Sequence, residues 1–389
     1  MQPDVVIVGA GIFGVTAALE LVARGAKVRV LDPGPVPHPD ASSTDISKLI
    51  RADYAGDELY AHAMLRAFPR WREWNDRFGA TLFHETGVLV LARERMEPGG
   101  FEHESHALLS RLDVPLQRLE PRDIEARFPA WAAGAYADGY YNPVAGWAES
   151  GRVVATLADE ARRLGVEIRE GCSIAPLDPS APSVEALRTA HGERIEGGHF
   201  VIAAGAHTPL LLPELADRIR PIAQFVFHFE PADASLFSPP AFVPWAADIA
   251  RSGWYGFASA AHAGGVVKVA RHAEGFLSDP RAPREVPASV EPLFRAFLRE
   301  SLPALADRPV VSRRVCFYSD SFDGDFFIDR HPRWSTVTVA SGGSGHAFKF
   351  APLLGEWIAD AALGTAPAID RFRFRALADA RREAARAGS

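Results

Sequence analysis

The sequence predicts an α/β fold in two parts, one of parallel strands alternating with helices and one a mainly antiparallel sheet (α+β). Three observations predict it. Residues 4–32 read as strand, glycine turn, helix, strand and acid. Phe200–Ala204, stopped by Gly205, and Thr336–Ala340 are apolar runs read as further buried strands. From Ile222 the pattern lengthens to period two over Ile222–Phe229, Trp254–Ala258 and Gly265–His272, as antiparallel strands with unlike faces require.

In the first unit each residue type has a physical task. Asp4–Val8 is the buried strand and Gly9 permits a tight turn. Gly11 lets a pyrophosphate approach the backbone, and Gly14 lets helix and strand pack closely. Ile12–Arg24 carries helical spacing up to Gly25, so the free N–H groups near Ile12 and Phe13 face the phosphates. Val28–Leu31 is the second strand, and Asp32, followed by Pro33, can accept from ribose hydroxyls. The whole fits the span of about 30 residues of a Rossmann-like dinucleotide site.

Bulk properties narrow the classes. A chain of 389 residues holds about two domains. A net charge of −7 excludes a nucleic-acid footprint. Two cysteines, Cys172 and Cys316, make no disulfide framework. The first strand starts too early for a leader peptide, and no apolar run is long enough for a membrane span. A cytoplasmic protein without a metal site is expected. Of 42 basic residues only Lys27, Lys48, Lys268 and Lys349 are lysine. A lysine retained in so arginine-rich a chain marks a place for a compact, titratable ammonium.

Along the chain, Ala41-Ser42-Ser43-Thr44-Asp45 supplies N-cap chemistry for a helix with Lys48 and Arg51 on one face. Asp57–Phe78 reads as a helix with Leu65, Phe68, Trp71, Trp74 and Phe78 as its apolar stripe, kinked or split at Pro69. Thr86–Ala92 is a strand, and 96–128 is helical and loop-rich. Ser150 caps a helix that turns Val154, Leu157, Ala161 and Leu164 inward, and Val166–Arg169 follows as a strand. In the second part, alternation puts Lys268, Ala270 and His272 on one strand face, a polar wall with space above the alanine. Ser312–Ser319 places Arg314, Cys316 and Tyr318 together. Ser341–Lys349 is a second glycine-rich loop, feeding a helix that starts near Pro352 and ends near Leu363, with an Ala/Arg-rich tail beyond.

Three C-terminal stretches, Arg314–Tyr318, Phe326–Pro332 and Ser344–Phe350, closely resemble the monomeric sarcosine oxidase family, a subgroup of the D-amino-acid-oxidase-like flavoproteins. Gly253–Phe257 followed by Lys268 and His272 resembles the same family's substrate-domain segment, and the likeness runs from Asp4 to about Ala361. It implies an FAD-binding domain of residues 1–85, 145–215 and 312–389 and a substrate domain of 86–144 and 216–311. It implies FAD held by Gly9, Gly11, Ile12, Phe13, Gly14, Asp32, Pro33, Ser42, Ser43, Thr44, Lys48, Gly205, Gly343, Gly345, His346, Phe348 and Lys349. Cys316 matches the cysteine that forms a thioether to the flavin, and an arginine such as Arg314 would favour its thiolate. Lys349 and Arg51 match the pair that holds a substrate carboxylate. Lys268 matches the lysine that promotes reaction of the reduced flavin with oxygen. Tyr255 and His272 match polar residues of the substrate cavity.

One stretch departs. Thr44 and Lys48 stand where sarcosine oxidases carry His and Arg, and Asp-Ile-Ser-Lys is more similar to fructosyl-amino-acid oxidases (amadoriases) and saccharopine- or pipecolate-oxidising relatives. Lys48 therefore joins the substrate-binding candidates, and the resemblance implies a bulkier N-substituted amino acid. The reaction it implies oxidises the C–N bond of a secondary amino acid to an imine that hydrolyses to aldehyde and amine, while O2 becomes H2O2. The protein would be a monomer acting on a small amino acid. Two alternatives stand beside it: an oxidase or dehydrogenase of cyclic imino acids, and a flavin-bearing electron-transfer subunit.

Overall fold

The computed structural model describes residues 2–377; the Ala/Arg-rich tail over 378–389 lies outside the described residues. A six-stranded sheet runs in the spatial order Phe327–Arg330, Val337–Ser341, His199–Ile202, Val5–Val8, Val28–Leu31, Glu167–Arg169. Its pairs are parallel except the first, which is antiparallel. The apolar Val5–Val8 strand is buried along its whole length at the middle of this sheet, as its β-branched run predicts. Helices Ile12–Ala23 and Ala351–Leu363 pack on each other, and they cross closely because Gly355 has no Cβ, which would lie 2.5 Å from the Thr16 carbonyl oxygen.

The second sheet has nine strands and is antiparallel except where Trp245–Ala247 pairs with Val88–Ala92. Ile219–Phe229, Val266–Arg271 and Trp254–Ala260 are adjacent in it. Val310–Ser321 pairs with Ile219–Phe229. The boundary expected at 311/312 therefore falls inside one strand, and Cys316 belongs by pairing to this sheet. No helix among the described residues is long and apolar enough to cross a membrane.

Three local expectations are corrected. Lys48–Ile50 is a strand, not a helix, paired antiparallel with Gly146–Ala148. Asp45 caps nothing there, because its carboxylate is drawn into a buried ion pair described below. The helix Glu58–Phe78 runs unbroken through Pro69. Pro69 lies on the exposed side, where water can satisfy the carbonyl it leaves unpaired, while Phe68 and Trp71 anchor the buried side. Leu164 is 38% exposed, since it is the C-cap of its helix and lies past the last inward turn.

Candidate active site

The glycine turn behaves as its spacing requires. Gly9 has φ +104°, and a Cβ there would overlap the Ala203 carbonyl oxygen. A Cβ on Gly14 would overlap the Gly9 carbonyl, so Gly14 serves packing and does not line the cavity. The Ile12 N–H at the helix start points to Ser43 Oγ (3.3 Å). Asp32 takes the Ala10 N–H at 2.8 Å and the Gly34 N–H at 3.0 Å on its two oxygens. Each oxygen keeps a lone pair for a diol. Burial raises the Asp32 pKa, against those two hydrogen bonds.

From this turn a cavity of about 920 Å³ runs to the second glycine-rich loop. That is the upper end of small-molecule sites. Gly9, Gly11, Ile12, Phe13, Asp32, Pro33, Ser42, Ser43 and Gly205 line one stretch of it. Lys48, Arg51, Tyr54, Tyr255, His272, Tyr318, Gly343, Gly345, His346, Phe348 and Lys349 line another. Lys268 and Cys316 are buried and Thr44 is half-buried, and none of the three lines it. Arg51 enters from the end of a strand and Lys349 from the 3-10 turn Ala347–Phe350 that precedes the last helix. Trp71 fixes that turn from the long helix, its Nε1 donating to the Lys349 carbonyl at 2.8 Å. Arg51 Nε is buried without a hydrogen-bond partner, an orphaned donor in the cavity wall. Tyr255 and Tyr318 hydroxyls lie 3.4 Å apart. Burial raises the Tyr255 phenol well above its ordinary value, so it acts only as a neutral hydroxyl.

Behind the wall lies a cluster organised by Asp45. Lys268 Nζ is 2.6 Å from Asp45 Oδ2 and donates to the Ser47 carbonyl at 2.7 Å. Lys48, Arg314 and His228 approach the same carboxylate at 3.7, 3.8 and 3.8 Å. Burial would raise Asp45, but Lys268, Lys48 and Arg314 reverse this and hold it well below the usual carboxylate range. Burial lowers the Lys268 ammonium to about 8 despite the pull of Asp45. Burial also holds His228 down at about 4, so it is neutral at pH 7. Cys316 packs with Val226, Ala270 and Tyr318, and Tyr255 lies against them. The cysteine is a free, buried thiol. Arg314 spends its guanidinium on the carbonyls of Thr44 (2.6 Å) and Pro39 (3.3 Å).

The sequence reading missed Tyr54 and the pairing role of Asp45. Reading 41–51 as a capped helix used Asp45 up as a cap. Tyr54, only three residues beyond Arg51, was a usable signal that this reading left aside.

The geometry has counterparts in known proteins. Monomeric sarcosine oxidase of Bacillus sp. (strain B-0618) is 28% identical over 365 residues, 92% of each chain. N-methyl-L-tryptophan oxidase of Citrobacter koseri is 28% identical over 96% of this chain and 98% of its own. The structure of fructosyl amine:oxygen oxidoreductase (amadoriase I) from Aspergillus fumigatus superposes with a TM-score of 0.80 at 27% identity, over 96% of this chain and 90% of that one. The glycine turn at a helix start, with Gly9 and Gly11 lining the cavity, and the Asp32 carboxylate as a diol acceptor at the second strand fit an FAD along the cavity, and with residues 4–361 matching the family's pattern, the chain belongs to the FAD dependent oxidoreductases.

Proposed function

We propose that this enzyme oxidises the C–N bond of a secondary, N-substituted amino acid with O2 as acceptor, as a cytoplasmic monomer. The observation that carries the reading is the convergence of two cations from distant parts of the chain, Arg51 and Lys349, on one wall of the cavity. An α-carboxylate placed there would replace water around both charges and meet the orphaned Arg51 Nε. The hydroxyls of Tyr255 and Tyr318 and the His272 ring share the cavity. The amine would bind there unprotonated, so no strong base is required. Leu49, Phe101, Ile249 and Phe257 add apolar lining that suits a bulky N-substituent. Bound FAD supplies a two-electron acceptor that O2 restores. The substrate carbon gives up a hydride and its nitrogen a proton, and water then splits the imine to an aldehyde and an amine.

Lys268 is proposed to serve the oxygen half of the cycle from behind the wall. Three cations, Lys268, Lys48 and Arg314, face one carboxylate, Asp45, so the cluster keeps a positive balance beside the cavity. Positive charge lowers the cost of an electron arriving on O2. Cys316 is proposed as the covalent anchor, since it packs against Tyr318 and Tyr255, whose side chains line the cavity. The decisive experiment is a peroxide assay of the isolated enzyme against N-methyl, N-fructosyl, N-carboxyalkyl and cyclic amino acids. Peroxide with the N-substituted acyclic members is expected. Turnover of cyclic imino acids alone, or of none without an added electron acceptor, would overturn the reading.

A further inference from the structure

Tyr54 stands between the two cations of that wall. Lys349 Nζ lies 4.7 Å and Arg51 Cζ 5.8 Å from its ring centroid. Its hydroxyl accepts from Lys349 Nζ at 3.0 Å and lies 2.9 Å from His346 Nδ1. The direction of this last bond follows from the opposite ring nitrogen. His346 Nε2 is 2.9 Å from the Gly324 carbonyl oxygen, which can only accept, so Nε2 carries a proton. In the neutral ring Nδ1 is then an acceptor, and Tyr54 donates to it. Polarity thus runs one way, from Lys349 through Tyr54 and His346 to Gly324. Both Tyr54 and His346 line the cavity, and His346 is buried at 6% exposure.

We propose that Tyr54 is the positioning residue of the carboxylate clamp, and that His346 orients it. A free lysine carries a large rotamer entropy, which an anion must overcome on binding. Here the Tyr54 oxygen and ring hold the ammonium in place beforehand. Because its proton is turned toward His346, the hydroxyl offers lone pairs to Lys349. The inference rests on the reading of Arg51 and Lys349 as that clamp, and the test separates the two. Flavin-loaded enzyme is titrated with propionate and with propionamide, following flavin absorbance. Tyr54→Phe keeps the ring and removes the oxygen. It is expected to weaken propionate binding about three- to tenfold, leaving propionamide binding, flavin content and Tm unchanged. His346→Leu should give a similar loss, and His346→Gln, whose amide can accept from Tyr54 and donate to Gly324, should recover most of it. Wild-type propionate affinity in Tyr54→Phe, where Lys349→Met has lost it, overturns the positioning role. Equal weakening of both probes, or loss of flavin, overturns it too by showing a structural role. If neither Lys349→Met nor Arg51→Met weakens propionate, the clamp itself is wrong.

Discussion

Lys268 and Lys349 are both nearly fully buried, at 1% and 5% exposure, yet their surroundings differ. Lys268 sits behind the cavity wall against a carboxylate, inside a cluster of charges. Lys349 lines the cavity and is held by a hydroxyl and an aromatic face. A cation paired with an acid acts at a distance, through the net field of its cluster. A cation that lines the cavity is placed to touch an arriving anion. The first suits a step that needs charge without contact, the second a step that needs contact.

Four experiments would break or sharpen that contrast. The largest effect is expected at Cys316, on the Lys268 side. Acid-precipitated wild-type protein should stay yellow, and Cys316→Ala should release its flavin; flavin wholly in the wild-type supernatant ends the covalent proposal. Next, Lys268→Met should slow reoxidation of the reduced enzyme by about a hundredfold, if the lost electrostatic stabilisation is about 3 kcal/mol. Anaerobic reduction by substrate should suffer less, as stopped-flow traces of each half-reaction would show. The variant should fold, because Lys48 and Arg314 still neutralise Asp45. Unchanged reoxidation would show either that Lys268 has no part in the oxygen half-reaction or that the physiological acceptor is not oxygen. On the other side, Lys349→Met or Arg51→Met should raise KM about tenfold or more for a carboxylate substrate, at roughly 1.5–3 kcal/mol per charged contact. Equal losses for the acid and its amide would remove the distinction between the two lysines.

The smallest effect is one of pH. Lys268 is charged below its pKa of about 8 and neutral above it. Reoxidation should therefore fall as pH rises through 8, by about fourfold between pH 7 and 8.5 for one titrating group. Asp45→Asn removes the partner that raises this pKa, so the falling limb should move to lower pH. A limb that stays in place would show that another group titrates.

Much of this was legible in local sequence. Gly9, Gly14 and Asp32 could be placed from spacing alone because each answers a steric or hydrogen-bonding demand within one strand–turn–helix unit. The long strands were equally legible, although Val266–Ala270 is buried on both faces and not on one, because the sheet is covered on each side. The segment 41–54 was not. Ser, Thr and Asp there satisfy a helix cap as readily as an extended strand, and only the partner strand Gly146–Ala148 decides between them.

By itself, then, the sequence determined the dinucleotide cradle and the two kinds of sheet, because those depend on contacts close along the chain. Only the tertiary structure decided that Asp45 meets Lys268 across 223 residues and that Tyr54 meets Lys349 across 295. Desolvation makes each buried ammonium seek a partner, but which partner depends on how two sheets close over one cavity, and no local pattern encodes that.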